Sequence, residues 1–173
     1  MKIHEFQAKE LMQERGIRVP QGEMVTTVAD AVAAVGPLVE ATGNPVVVVK
    51  SQIHAGGRGK GRFKEYPDLG GVNVVLDGID GDLEAAKKRV GQLAGKMLGS
   101  TLVTVQTGPA GKQVNRLYIE QGIDIDRELY LGVVLDRTEG VVFLALHREE
   151  TRDDGTVFLR DVRGRYVLKD HTH

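Results

Sequence analysis

The strongest chemical signal in the sequence is a glycine-rich, basic stretch at residues 54–61. It contains four glycines together with Arg58 and Lys60, and it follows a run of valines that ends in Lys50. Glycines let backbone N–H groups approach phosphate oxygens closely, and neighbouring cations add charge. The stretch is neither a P-loop nor a dinucleotide-binding GxGxxG, because neither pattern opens a helix here. It indicates an anion site, most naturally for phosphate; the alternative is a mobile hairpin tip with solvated cations.

A second candidate site lies in residues 118–130, where carboxylates stand between two predicted strands. An extended segment there could contact an adenine through its backbone, and Glu128 could accept hydrogen bonds from both ribose hydroxyls. A solvated acidic turn is the alternative. Asp124, Asp126 and Glu128 alternate as metal ligands can, but the glycine and the distal glutamate of a calcium loop are missing. We therefore assign no metal to them.

Composition argues against several other chemistries. The chain has no cysteine, and its 5 histidines lack HExxH or comparable spacing, so no metal ligand and no catalytic residue is assigned. Its 23 Lys and Arg residues balance 24 Asp and Glu residues, and a net charge of -1 predicts no nucleic-acid or anionic-membrane partner. No signal peptide and no membrane-spanning stretch is recognisable, which predicts a cytoplasmic protein.

Hydrophobic periodicity and turn residues predict the elements that position these stretches. A first helix covers 4–15, with Ala8, Leu11 and Met12 on one side. A second starts at Thr27 and is kinked or split at Gly36-Pro37. The third runs from Asp82 to Gly99. Predicted strands cover 45–53 (buried on both faces), 71–76, 102–107, 116–121, 129–135 and 141–146, followed by hairpins turning at 153–155 and 163–165.

Mixed helices and strands, with a strand-rich second half, predict an α/β or α+β fold. We expect a lobe boundary near Leu102. The glycine stretch then lies in the first lobe and the acidic segment in the second, with a ligand cleft between them.

Four stretches in order resemble succinate–CoA ligase β subunits: MKIHEFQAKEL at 1–11, VVKSQIHAGGRGK at 48–60, LVTVQTGP at 102–109 and RELYLGVVLDR at 127–137. Malate–CoA ligase β subunits share much of the pattern. The resemblance implies an ATP-grasp fold with nucleotide between two lobes. It divides the chain into an N-terminal helix (1–20) that packs on the second lobe, a first lobe (21–101) and a partial second lobe (102–173).

The resemblance also implies a function, the ATP- or GTP-dependent synthesis of succinyl-CoA in the tricarboxylic acid cycle. The partner would be an α subunit, which carries the phosphorylated histidine. The metal cofactor would be Mg²⁺. Lys50 would contact the phosphates and Glu128 the sugar. The remaining implied nucleotide-binding residues are the phosphate-covering Gly57, Arg58 and Gly59, and the base-lining Glu120, Gln121, Gly122 and Ile123.

The sequence departs from the family pattern in two places. Residues 61–69 resemble a lengthened family loop. From Leu146 the chain has a divergent tail in place of a Ser-Thr-Glu-Gly-Gly-like segment, and the family's Asn and Asp magnesium ligands have no counterparts. We therefore expect a truncated chain that is inactive alone. The alternatives are a non-catalytic ATP-grasp remnant that binds nucleotide or an α subunit, and a fold whose cleft is empty.

Overall fold

The computed structural model describes residues 2–125 and, beyond them, the backbone of the strands at 129–136, 141–151, 157–160 and 166–167. Contacts divide the chain into two compact units, Met1–Ile123 and Asp124–His173. The sequence-based division into segments 1–20, 21–101 and 102–173 rests on the family resemblance and stays a prediction.

The first unit contains three helices and seven strands. The helices are α1 (Glu5–Glu14), α2 (Val28–Thr42) and α3 (Leu83–Met97). The strands are β1 (Gly22–Val25), β2 (Val47–Ser51), β3 (Arg62–Phe63), β4 (Val72–Val75), β5 (Thr101–Val103), β6 (Lys112–Gln113) and β7 (Leu117–Gln121).

Two antiparallel sheets organise this unit. The larger has the order β1-β7-β2-β4, so that the last strand in sequence lies between the first two. In its register Val48 of β2 is opposite Glu120 of β7, and Lys50 is opposite Tyr118. The smaller sheet has the order β3-β5-β6. Helices combined with antiparallel sheets give the α+β class that the sequence predicted.

The core lies between α2, α3 and one face of the larger sheet. The sequence of α3 predicts one apolar stripe, and the structure confirms it. Its members Ala86, Val90, Leu93 and Met97 are buried, and Leu83 at the start is half-buried. The side chain of Asp82 accepts a hydrogen bond from the N–H of Ala85, which satisfies one of the free donors at the helix start. Capping and periodicity in the sequence therefore sufficed to place this helix.

The second helix is continuous through Gly36-Pro37, so of the two predicted alternatives, a kink or a split, the split is wrong. Proline cannot donate to the carbonyl four residues earlier, which here belongs to Ala33. Both Ala33 and Pro37 lie on the exposed side of α2, where water can satisfy that carbonyl. The opposite side, with Ala31 and Val35, is fully buried and keeps the helix packed on the core.

The strand predicted to be buried on both faces is instead buried on one. Val47, Val49 and Ser51 of β2 are buried, whereas Val48 and Lys50 on the other face are only half-buried. The prediction of a strand at 102–107 was also too long, because β5 ends at Val103 and a turn follows. The β-branched run of β2 specified a strand but not what covers each face.

The first helix forms as predicted but presents a different side to the sheet. Its expected apolar side is exposed, with Leu11 at 53% and Met12 at 45%, and no residue of the helix is fully buried. Glu5 and Lys9, one turn apart, contact the sheet instead. Ion pairs rather than apolar burial therefore hold α1 in place.

The second unit is an antiparallel sheet of four strands in the order β11-β10-β9-β8. They are β8 (Leu129–Asp136), β9 (Val141–Thr151), β10 (Val157–Arg160) and β11 (Tyr166–Val167). The strand pair predicted at 129–135 and 141–146 is confirmed, and β9 is five residues longer than predicted. The β9-β10 and β10-β11 pairs correspond to the two expected hairpins, whose turns lie outside the described residues.

Candidate functional site

Two strands of the larger sheet carry the charged centre of the site. Side chains alternate between the faces of a strand, so Lys50 on β2 and Glu120 on β7 point away from the helix-covered core. Their side chains form an ion pair in which Lys50 Nζ contacts Glu120 Oε2. Glu120 is only 2% exposed, and a buried carboxylate of this kind requires a paired cation.

Helix α1 lies over these two side chains and adds a carboxylate and a cation. Glu5 Oε1 lies 3.2 Å from Lys50 Nζ and 3.1 Å from Lys9 Nζ. Lys9 Nζ in turn contacts Glu120 Oε1, so that each oxygen of Glu120 has its own lysine. The helix is also tied to the end of β2 through Gln52, whose Nε2 donates to Glu5 Oε2 over 3.3 Å.

Arg58 completes the network. It belongs to the glycine-rich stretch at residues 54–61, which is called the glycine loop below. Its guanidinium donates from Nη2 to Glu5 Oε2 over 2.7 Å and from Nη1 to the carbonyl of Ser51 over 2.6 Å. Glu5 therefore bridges Arg58 and Lys50, two of the three cations that the sequence predicted at a phosphate site. With Lys9 and Glu120 included, the network holds three cations and two carboxylates, an excess of one positive charge.

Burial and the neighbouring cations determine the charge state of Glu5. Burial raises the pKa of the carboxyl, but the charges of Arg58 and Lys50 and the hydrogen bond from Arg58 outweigh it and lower the pKa to about 2. Burial, followed by the charge of Lys50, lowers the pKa of Lys9. Near neutral pH Glu5 is thus an anion held by Lys9, Lys50 and Arg58.

The glycine loop exposes backbone donors next to Arg58. Gly57 has a φ of 73°, a backbone conformation that favours glycine. Gly57 and Gly59 are exposed, and within residues 2–125 no acceptor is found for their N–H groups. A Cβ added at Gly59 would have no heavy atom within 4 Å, so the space beside its Cα is open. Such donors suit the oxygens of a phosphate.

Gln106, in the turn after β5, fixes the start of the loop. Its Oε1 accepts a hydrogen bond from the N–H of Gly56 over 2.6 Å. A Cβ on Gly56 would come within 2.8 Å of the Gln106 amide nitrogen, so glycine permits this close contact. The loop is therefore anchored at both Gly56 and Arg58.

Cavities flank the loop on two sides. A cavity of about 390 Å³ is lined by Glu5, His54, Gly56, Arg58 and Gln106 among others. A second cavity, of about 590 Å³, has a largely apolar lining that includes Gly57, Lys60 and Val105.

The predicted base-lining residues are Glu120, the ion-pair partner of Lys50, and the three residues that follow it in the chain. The N–H of Gln121 donates to the carbonyl of Gln21. Gly122 is bonded at both backbone groups, to Val46 and Asn44, while Ile123 is 56% exposed. Ile123 is thus the most accessible of the four positions.

Glu128, the predicted sugar ligand, lies outside the described residues. Among the residues that the structure describes, no group of three or more His, Asp or Glu side chains could hold a metal ion. No helix in the described part of the chain is long and apolar enough to cross a membrane.

The sequence reasoning missed Glu5, Lys9 and Gln106 as members of the site. The i, i+4 spacing of Glu5 and Lys9 was a usable signal, because such residues share one helix face. What the sequence lacked was the side of α1 that meets the sheet. Gln106 gave no signal of its own, since its contact with Gly56 joins residues 50 positions apart.

Comparison with known proteins gives two findings. The sequence model of the ATP-grasp domain family matches residues 2–150. The chain is also similar to curated β subunits of ADP-forming succinate–CoA ligase. The β subunit of Nitrobacter hamburgensis is 55% identical over 147 residues, which cover 83% of this chain and 34% of that protein. That of Bradyrhizobium diazoefficiens is 49% identical over 164 residues, covering 94% and 37%. That of Afipia carboxidovorans is 52% identical over 147 residues, covering 83% and 34%. The chain thus spans about a third of the length of these relatives.

Proposed function

Because the chain belongs to the ATP-grasp domain family, we propose that it is the nucleotide-binding part of a succinate–CoA ligase β subunit. The observation that carries the proposal is that Lys50 and Arg58 meet on one carboxylate, that of Glu5. The exposed glycines Gly57 and Gly59 flank Arg58 in the chain and add backbone donors. Cations and backbone donors together bind phosphate oxygens. In the complete enzyme this binding would serve the ATP-dependent joining of succinate to CoA.

The names of the relatives make the proposal more specific. They describe ADP-forming enzymes, which favours ATP over GTP as the nucleotide. They also describe β subunits, so the partner is an α subunit in a hetero-oligomer, and we place the complex in the cytoplasm. Identities of about 50% do not favour a non-catalytic remnant.

Within the site, Lys50 and Arg58 would hold the phosphates while the amides of Gly57 and Gly59 cover them. Ile123 and its neighbours Glu120, Gln121 and Gly122 would border the base, and Glu128 would bind the sugar. The described residues do not fit a magnesium ion, since no suitable ligand group is present among them. We therefore derive no step through that metal.

Calorimetric titration of the 173-residue chain with ATP and with GTP tests the proposal. Loss of a charged hydrogen-bond donor costs about 1.5–3 kcal/mol, so we expect Lys50→Ala to weaken ATP binding at least about tenfold. The matched control is Lys88→Ala, which removes the same side chain from the exposed face of α3. It should leave the affinity unchanged. Absence of ATP binding, or equal weakening by both variants, would overturn the proposal.

A further inference from the structure

The phosphate-binding cations of the proposed site already hold an anion that belongs to the chain itself. Glu5 Oε2 lies 2.7 Å from Arg58 and Glu5 Oε1 lies 3.2 Å from Lys50. These are the distances at which a phosphate oxygen would bind the same two side chains. We propose that Glu5 is a determinant of nucleotide affinity, a carboxylate that occupies the phosphate position between Lys50 and Arg58 and leaves it when nucleotide binds. This inference rests on the proposed function.

Charge opposes the simultaneous presence of the Glu5 carboxylate and a phosphate at Lys50 and Arg58. Glu5 is ionised near neutral pH, and a nucleotide brings several more negative charges to the same two cations. Like charges a few ångströms apart in a partly desolvated site repel each other strongly. The side chains of Lys50 and Arg58 are each only 20% exposed, so solvent screens this repulsion incompletely. Carboxylate and phosphate cannot share these positions at low cost.

The way in which α1 is attached allows the carboxylate to leave. No residue of the helix is fully buried, and its contacts to the sheet include ion pairs, bonds to Gln52 and the packing of Lys9 over the Tyr118 ring. Ion pairs that remain partly exposed can be exchanged for contacts to another anion at a modest net cost. Lys9 retains Glu120 as a partner after Glu5 moves.

The position of α1 also makes the movement necessary. Lys50 is enclosed by Glu5 and Glu120, and its side chain lines neither of the two cavities next to the glycine loop. Arg58 and Glu5 line the same cavity of about 390 Å³. An anion that enters this cavity reaches Arg58 first and meets Lys50 only where Glu5 now lies.

The prediction is that Glu5→Gln binds nucleotide more tightly than the unchanged chain. Glutamine keeps the size of the side chain but removes the competing charge, and we expect a gain of about tenfold in affinity. The matched control is Glu10→Gln, which removes the same charge from an exposed position of the same helix. Its affinity should stay within about twofold of the unchanged chain.

Titration with two probes, ATP and inorganic tripolyphosphate, locates the effect. We expect the gain in Glu5→Gln for both, because the competition concerns phosphate alone. We also expect the gain to shrink when Lys50→Ala is added, since only Arg58 of the two contested cations then remains. In parallel, ATP should accelerate hydrogen exchange of the α1 amides in the unchanged chain.

The outcomes separate the inference from the proposed function. If the unchanged chain binds ATP and Glu5→Gln binds it equally or more weakly, the inference fails and the proposed function stands. A gain of the same size in Glu10→Gln would mean general electrostatics and also overturn the inference. If neither the unchanged chain nor Glu5→Gln binds either probe, both are wrong.

Discussion

The ionised state of Glu5 makes the stability of the first unit dependent on pH. A pKa lowered from 4.5 to about 2 corresponds to about 3 kcal/mol for a fully enclosed carboxylate. The side chain keeps 21% exposure, and solvent screening reduces the effect, so we expect Glu5→Gln to lower the free energy of unfolding by about 1–2 kcal/mol at pH 7. The loss arises because Lys50 and Arg58 then repel each other without an intervening anion.

The direction of the pH dependence follows from the lowered pKa. The folded chain binds the Glu5 proton less readily than the unfolded chain, so the stabilisation is complete above about pH 5. It declines as the pH falls from 4.5 and is lost near pH 2. The difference in stability between the unchanged chain and Glu5→Gln should therefore shrink over this range.

Urea denaturation followed by circular dichroism between pH 7 and pH 2.5 measures this difference. Glu10→Gln is the control, and its effect should stay within about 0.5 kcal/mol at every pH. A difference for Glu5→Gln that does not change with pH would refute the assignment of Glu5 as an ion paired with Lys50 and Arg58. An effect of Glu10→Gln as large as that of Glu5→Gln would also refute this assignment.

Two further predictions concern the glycine loop and its anchor. Gly71→Ala should lower the free energy of unfolding by about 1–3 kcal/mol, because its Cβ would meet Leu102 at 2.5 Å. Gly59→Ala, with open space around its Cα, should change the free energy of unfolding by less than about 0.5 kcal/mol. Urea denaturation distinguishes the two variants, and equal effects would contradict the loop packing. Gln106→Ala removes the acceptor of the Gly56 N–H and should cost about 0.5–1.5 kcal/mol with faster hydrogen exchange at that amide, so unchanged exchange would show that Gln106 does not anchor the loop.

The elements that the sequence predicted well are those whose signals are local. Helix α3 carries its own cap in Asp82 and its own apolar stripe, and both are read within a window of 18 residues. The valine run of β2 likewise specified a strand. Its burial on one face only could not be read from the run, because the side chains of α1 that cover the second face are about 45 residues away in sequence.

The residues of the candidate site also fall into those with a local sequence signal and those without one. Lys50, Arg58 and the loop glycines could be predicted as site residues because their chemistry is concentrated in one stretch. Glu5 was not, since a carboxylate in a helix is usually solvated and its role here depends on two partners from distant segments. The apolar residues Leu11 and Met12 favoured the other side of the helix, and local amphipathicity was a weaker guide than the cations of the sheet.

The strand order of the larger sheet has a consequence for how the first unit folds. Strand β7 lies between β1 and β2, and β1 has no other neighbour in the sheet. The pair Gly22 and Glu120 therefore closes a loop of nearly a hundred residues, an entropic cost that must be met before the pairing contributes stability. During synthesis β1 stays unpaired in this sheet until β7, near the end of the unit, has left the ribosome. Folding of this unit is thus governed by the arrival of its final strand.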